Sequence, residues 1–167
     1  MKQNTTKALV TNALIVALYV VLSWAPGVFN LASGAIQFRL SEALNHLVAF
    51  DRKYLFGVVV GVIVYNALFS PMGWLDVLFG GGQSLLGLAV VAWAGQHLPK
   101  VWQRQALAIV MMTVTMFLIA IELVWTAHLP FWVTYGSLML SELVIMAISA
   151  PVMYVIDKTV HFARYVN

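Results

Sequence analysis

Lysine and arginine stand at four short stations along this chain, and the stretches between them are almost wholly apolar. Lys2 and Lys7 form the first station, Arg52 and Lys53 the second, Lys100 and Arg104 the third, Lys158 and Arg164 the fourth. Six apolar segments can be drawn around them, over residues 7–24, 34–50, 54–69, 83–98, 106–125 and 133–156. Each approaches the ~20 residues that a membrane-crossing helix needs, the second and third being short. With six crossings every basic station falls on one side, and the other three connections carry no lysine or arginine. The positive-inside tendency then puts both termini in the cytoplasm. Five or seven crossings would break this agreement. The expected fold is all-α: a multi-pass plasma-membrane protein of six transmembrane helices, one domain over residues 1–167.

Composition narrows the function. The chain is 62% hydrophobic and 9% charged, against about 25% charged residues in soluble domains. No stretch is polar enough for a soluble catalytic domain. There is no Gly-x-x-x-x-Gly-Lys-[Ser/Thr] loop, no Ser/His/Asp set and no His-Glu-x-x-His, so an enzyme is not expected. The absence of cysteine excludes disulfides and thiolate metal sites. The net charge of +3 sits at span ends and is not a nucleic-acid footprint. The first apolar segment lacks a small-residue cleavage pattern and reads as a retained span.

The ninth basic residue is Arg39, inside the second segment, in the run Gly34-Ala35-Ile36-Gln37-Phe38-Arg39-Leu40-Ser41-Glu42-Ala43-Leu44-Asn45-His46. Arg39 and Glu42 are three residues apart and share a helix face, which Asn45 and His46 continue. Charge at membrane depth is costly, so such residues face a bundle interior or a watery cavity and mark substrate paths. Glu122 lies near the outer end of the fifth segment and Glu142 about ten residues into the sixth. At ~1.5 Å per residue, Arg39, Glu42 and Glu142 fall ~8 to 14 Å below the outer surface. One arginine cannot neutralise three buried carboxylates, so some are protonated, hydrated or bonded to a ligand. Asn66 and Ser141 can add hydrogen bonds there. An outward-facing polar cavity is expected, with a structural ion-pair network or a proton relay as the alternatives.

The outer connections are rich in glycine, proline and aromatic residues. Asp76 lies in the second. Gly80, Gly81 and Gly82 read as a flexible lid or re-entrant turn in preference to a phosphate cradle, because no lysine or arginine is near. Trp74 and Trp132 lie in outer loops and either join an interfacial aromatic belt or stack on a ligand. His46 and His128 have no partner at metal-ligand spacing, so no metal site is expected. In the first segment, Ala13 and Ala17 form a small-residue pair four apart, a surface that lets another helix approach closely.

The runs GAIQFRLSEALNHLVAFDRKY, LDVLFGGGQS and IEL…LPFWVTYGSLMLSEL resemble the QueT-type substrate-binding subunits, or S-components, of energy-coupling factor transporters. The resemblance extends from Ala13 to Asp157. It implies the six-helix S-component fold and a micronutrient ligand held beneath the outer loops. It also implies a partner module of one transmembrane coupling protein and two ATPases, with ATP used by those partners and no resident cofactor. The face bearing Ala13 and Ala17 would meet the coupling protein. The resemblance marks the first outer loop and the loops over residues 74–84 and 128–132; with the embedded polar residues read above, the expected site takes in Arg39, Glu42, Asn45, Asn66, Trp74, Asp76, Gly81, Gln83, Glu122, Trp132 and Glu142. The uncharged aromatic outer loops favour cobalamin as the ligand. A queuosine precursor, a flat 7-deazaguanine, is the alternative. From a different class, a stand-alone proton-coupled secondary transporter working through Glu42, Glu122 or Glu142 remains, although no inverted repeat is evident.

Overall fold

A computed structural model of the protein describes residues 2–27 and 39–166, with side chains described for residues 5–24 and 39–166. Helix α1 spans Lys2–Gly27. A 3-10 helix over Leu40–His46 follows and runs into a single turn, α2, at Leu47–Phe50. Then come α3 (Tyr54–Phe69), α4 (Trp74–Ala94), α5 (Val101–Thr115), α6 (Phe117–Ala127), α7 (Phe131–Val160) and a short α8 (Ala163–Val166). No strand occurs among the described residues.

Four helical stretches are long and apolar enough to cross a membrane: Thr5–Trp24, Trp74–His97, Val101–Ala127 and Phe131–Val160. The other two expected spans differ. Helix α3 has 16 residues, or ~24 Å against a ~30 Å hydrocarbon core. Of the expected span 34–50, residues 34–38 lie outside the described residues, and the rest is mostly a tight 3-10 helix. A seven-residue 3-10 run is longer than the three or four residues such helices usually sustain.

Three further boundaries are corrected. Helix α4 begins at Trp74, nine residues before the expected start, so Asp76 and the glycine triplet are helical. The expected fifth span is two helices, broken at Met116. The cause is local: Thr115 Oγ1 donates back to the Met111 carbonyl at 2.8 Å, a bond that bends helices. The Met116 amide turns to Thr113 O at 3.4 Å, so Met112 O loses its usual partner. The connection before α7 is short: His128 takes a left-handed conformation (φ 54°) to end α6, and α7 starts three residues later at Phe131.

Glycines set the closest approaches. On α3, Gly57 and Gly61 are four apart and face α1. A Cβ at Gly61 would lie 2.7 Å from Tyr19 Cβ, and the Gly57 amide donates to Asn12 Oδ1 at 2.8 Å. This small-x-x-x-small pairing brings Asn12 and Tyr19 of α1 into the bundle. Gly87 of α4 does the same against α5, where a Cβ would lie 2.9 Å from Met112 Sδ. The main core (Tyr19, Leu47, Tyr54, Val58, Val62, Leu88, Met112, Met146 among others) fills the space so enclosed. A second cluster around Met116, Ile119, Ala120, Leu123 and Leu138 packs beyond the helix break.

At the basic end, the C-terminal segment folds back over α1 and α3. Lys7 Nζ donates to Arg164 O, Thr11 Oγ1 to Tyr165 O at 2.9 Å, Lys53 Nζ to Val166 O at 2.8 Å and Tyr54 Oη to Phe162 O at 2.8 Å.

Candidate substrate-binding site

The tight winding of the 3-10 helix builds the site. With three residues per turn, side chains three apart eclipse one another, so Arg39, Glu42 and Asn45 form one column. Arg39 is extended (φ −107°, ψ 116°) and immediately precedes the helix. Asn45 Nδ2 donates to Glu42 Oε2 at 2.6 Å, and Tyr19 Oη to Glu42 Oε1 at 3.0 Å. Ser23 and Ser41 join their hydroxyls at 2.6 Å beside them. The Arg39 guanidinium lies over the Tyr65 ring, 5.5 Å from its centroid, a cation–π contact.

Arg39 and Glu42 meet Gln83 and Ser84 of α4 and Glu142 of α7 around a small cavity. Val62, Gly80, Met116 and Ile119 complete the described lining. Its free volume is about 10 Å³, room for about one water molecule. Glu142 is 2% exposed, and its Oε1 has no hydrogen-bond partner among the described residues. Such an atom costs roughly 1–3 kcal/mol unless something meets it. Among the described lining residues, one guanidinium stands against two carboxyl groups.

Gln83 is placed by the break in the neighbouring helices. Its Nε2 donates to Met112 O at 3.3 Å, the carbonyl that the Met116 amide gave up, and to Thr115 Oγ1 at 3.1 Å. Ser84 Oγ donates to Gln83 Oε1 at 3.1 Å. The amide is thus held on both sides while lining the cavity.

The remaining predicted site residues fall elsewhere. Asn66 Nδ2 donates to Asp76 O at 2.8 Å and covers Gly80. Asp76 Oδ2 accepts from Ser70 Oγ and from the Met72 amide at 3.2 Å, so it closes the turn before α4. Glu122 is buried on α6, and its Oε1 lacks a partner among the described residues. Neither Glu122 nor Asp76 lines the cavity. Gly81 packs on α3, where a Cβ would lie 3.1 Å from Ile63 Cγ1. Trp74 and Trp132 are 71% and 78% exposed and lie away from the cavity wall. The lid expected at residues 80–82 is a helix face packed on α3. Ala13 and Ala17 are both exposed. At 100° per residue they lie roughly 100–140° around α1 from buried Asn12.

Tyr19, Ser84 and Met116 were not foreseen. For Tyr19 a signal existed: Asn12, Tyr19 and Ser23 recur at helical spacing on one face of an otherwise apolar helix.

Comparison with known proteins defines the class. Residues 9–158 match the model of the QueT transporter family, and the chain belongs to that family. It is a transporter rather than an enzyme, and a multi-pass protein of the plasma membrane. It is 35% identical, over 98% of this chain and 100% of the relative, to the Queuosine precursor transporter QueT of Lactococcus lactis subsp. cremoris (strain MG1363). No solved structure matches. The expectation of cobalamin finds no support here, because that relative is named for a queuosine precursor.

Proposed function

We propose that this chain is the substrate-binding subunit of an energy-coupling factor importer and that it captures a queuosine precursor, a 7-deazaguanine. The observation that carries this is the polar set Arg39, Glu42, Gln83 and Glu142 around one buried cavity, with Glu142 Oε1 awaiting a donor. A flat deazaguanine presents an exocyclic amine and ring N–H groups to carboxylates, and a carbonyl to a guanidinium or to an amide. Glu42, anchored by Tyr19 and Asn45, acts as a fixed acceptor. Glu142 accepts from the base, and Arg39 or Gln83 donates to its carbonyl. The lining must part to admit a base, since small-molecule sites are commonly several hundred Å³. Met116, at the helix break, and Arg39, extended before the 3-10 helix, are the described lining residues that stand outside a helix.

In this reading the protein is one domain of six crossings with both termini cytoplasmic. The short α3 and the 34–50 stretch supply the two crossings beyond the four long helical stretches. The exposed Ala13–Ala17 face docks on a transmembrane coupling protein, and two partner ATPases hydrolyse ATP. The chain itself holds no resident cofactor. Proteoliposomes test this. ATP-dependent uptake of a labelled 7-deazaguanine should require this chain and its module together. Uptake by this chain alone, collapsed by an uncoupler, would instead identify a proton-coupled carrier.

A further inference from the structure

A second cavity lies at the basic end of the bundle, about 15 Å further along α4 than Gln83. Its volume is about 440 Å³. Val48, Ala49, Val91 and Ala92 give it an apolar floor, and Arg52, Lys53 and Arg104 put three cations on its wall against one carboxylate, Asp51. The Arg39–Glu142 site does not use it.

All three cations are held in position, Lys53 by its Nζ on Val166 O at 2.8 Å. Arg104 Nε donates to Leu98 O at 2.9 Å. Arg52 Nη1 donates to Gln96 Oε1 at 3.0 Å, and Gln96 Nε2 is itself fixed on Ala92 O at 2.8 Å. Each arginine bond uses one N–H and leaves the rest of a planar fork for a ligand, the geometry that suits phosphate. Asp51 is turned to its own loop, with Oδ1 accepting from the Lys53 amide at 2.9 Å. Trp93 of α4 and Trp102 of α5 are exposed by 69% and 61% on the same two helices. Exposed tryptophan marks the membrane–water boundary, the level at which lipid phosphates lie.

We infer that this cavity is a phosphate-binding site in which Arg52 and Arg104 grip the anion, with Lys53 adding charge. The phosphate comes from an anionic lipid headgroup seated on the apolar floor or from free phosphate in the cytoplasm. Cationic pockets between helices on the cytoplasmic side are suited to lipid headgroups.

The test uses the full chain in nanodiscs of equimolar phosphatidylcholine and phosphatidylglycerol, with retained lipids counted by native mass spectrometry. A second arm titrates inorganic phosphate into phosphatidylcholine nanodiscs and follows the ³¹P linewidth. For a lipid site, the wild type retains phosphatidylglycerol preferentially. Arg52→Gln with Arg104→Gln then weakens that preference by about thirtyfold. Lys100→Gln with Lys158→Gln, at the same end but outside the cavity, leaves it intact. For a free-phosphate site, only the second arm responds, and the double arginine variant abolishes the response. The wild-type measurements stand even if that variant does not fold. No lipid preference and no phosphate response in the wild type would overturn the inference. So would a response in either arm that a folded double variant retains in full.

Discussion

The Tyr19 hydroxyl donates to Glu42 Oε1 at 3.0 Å, and this bond joins helix α1 to the wall of the Arg39–Glu142 cavity. Tyr19 is 1% exposed, held inward because Gly61 of α3 leaves room for it. The same helix presents Ala13 and Ala17 outward. One rigid element therefore touches the cavity carboxylate on one face and offers a small-residue surface on another. A change at Glu42 has a direct route to the proposed docking face.

Tyr19→Phe keeps the ring and deletes that bond. A hydrogen bond of this kind is worth roughly 0.5–1.5 kcal/mol net, so ligand affinity should fall by about two- to tenfold. Equilibrium binding to the purified variant reads this. Unchanged affinity would mean that Glu42 needs no support from α1.

Bulk on the α1–α3 contact should unfold the arrangement at its source. A Cβ at Gly61 would meet Tyr19 Cβ at 2.7 Å, too close for any real side chain. Gly61→Leu should cost at least the ~1–3 kcal/mol typical of overpacking, seen as a lower thermal midpoint in detergent. Gly82→Ala is the control, because a Cβ there meets nothing within 4 Å.

Gln83→Leu separates two roles. It takes one donor from the Met112 carbonyl at the helix break, leaving Thr115 Oγ1 at 3.1 Å, a cost of roughly 0.5–1.5 kcal/mol, and removes a cavity-lining amide. Thermal stability and ligand affinity should both drop. If stability falls while affinity holds, Gln83 only braces the break.

Replacing Ala13 and Ala17 by leucine should leave ligand binding intact and stop ATP-dependent uptake, because close helix approach needs small residues. Uptake at the wild-type rate would exclude this face as the coupling surface.

Much of the site was legible because spacing by three is read alike in an α-helix and in a 3-10 helix. Arg39, Glu42 and Asn45 align in either, so the polar column was foreseen although the winding was not. Residues 40–46 pack against α1, α5 and α7, a tertiary setting that local sequence does not carry. The glycine triplet misled for a physical reason. Glycine reads as a turn former, yet Gly80 and Gly81 are helical, and glycine there lets α4 approach Asn66 and Ile63 of α3. Buried carboxylates were correctly seen as buried. Depth alone did not separate Glu142, which lines the cavity, from Glu122, which lies outside it.

Calorimetric titration of the purified chain, without partner subunits, with a 7-deazaguanine precursor and separately with cobalamin tests the central claim most directly. The account predicts saturable binding of the deazaguanine, weakened by about tenfold or more in Glu142→Gln, and no heat from cobalamin. Binding of cobalamin with no response to the deazaguanine would contradict it.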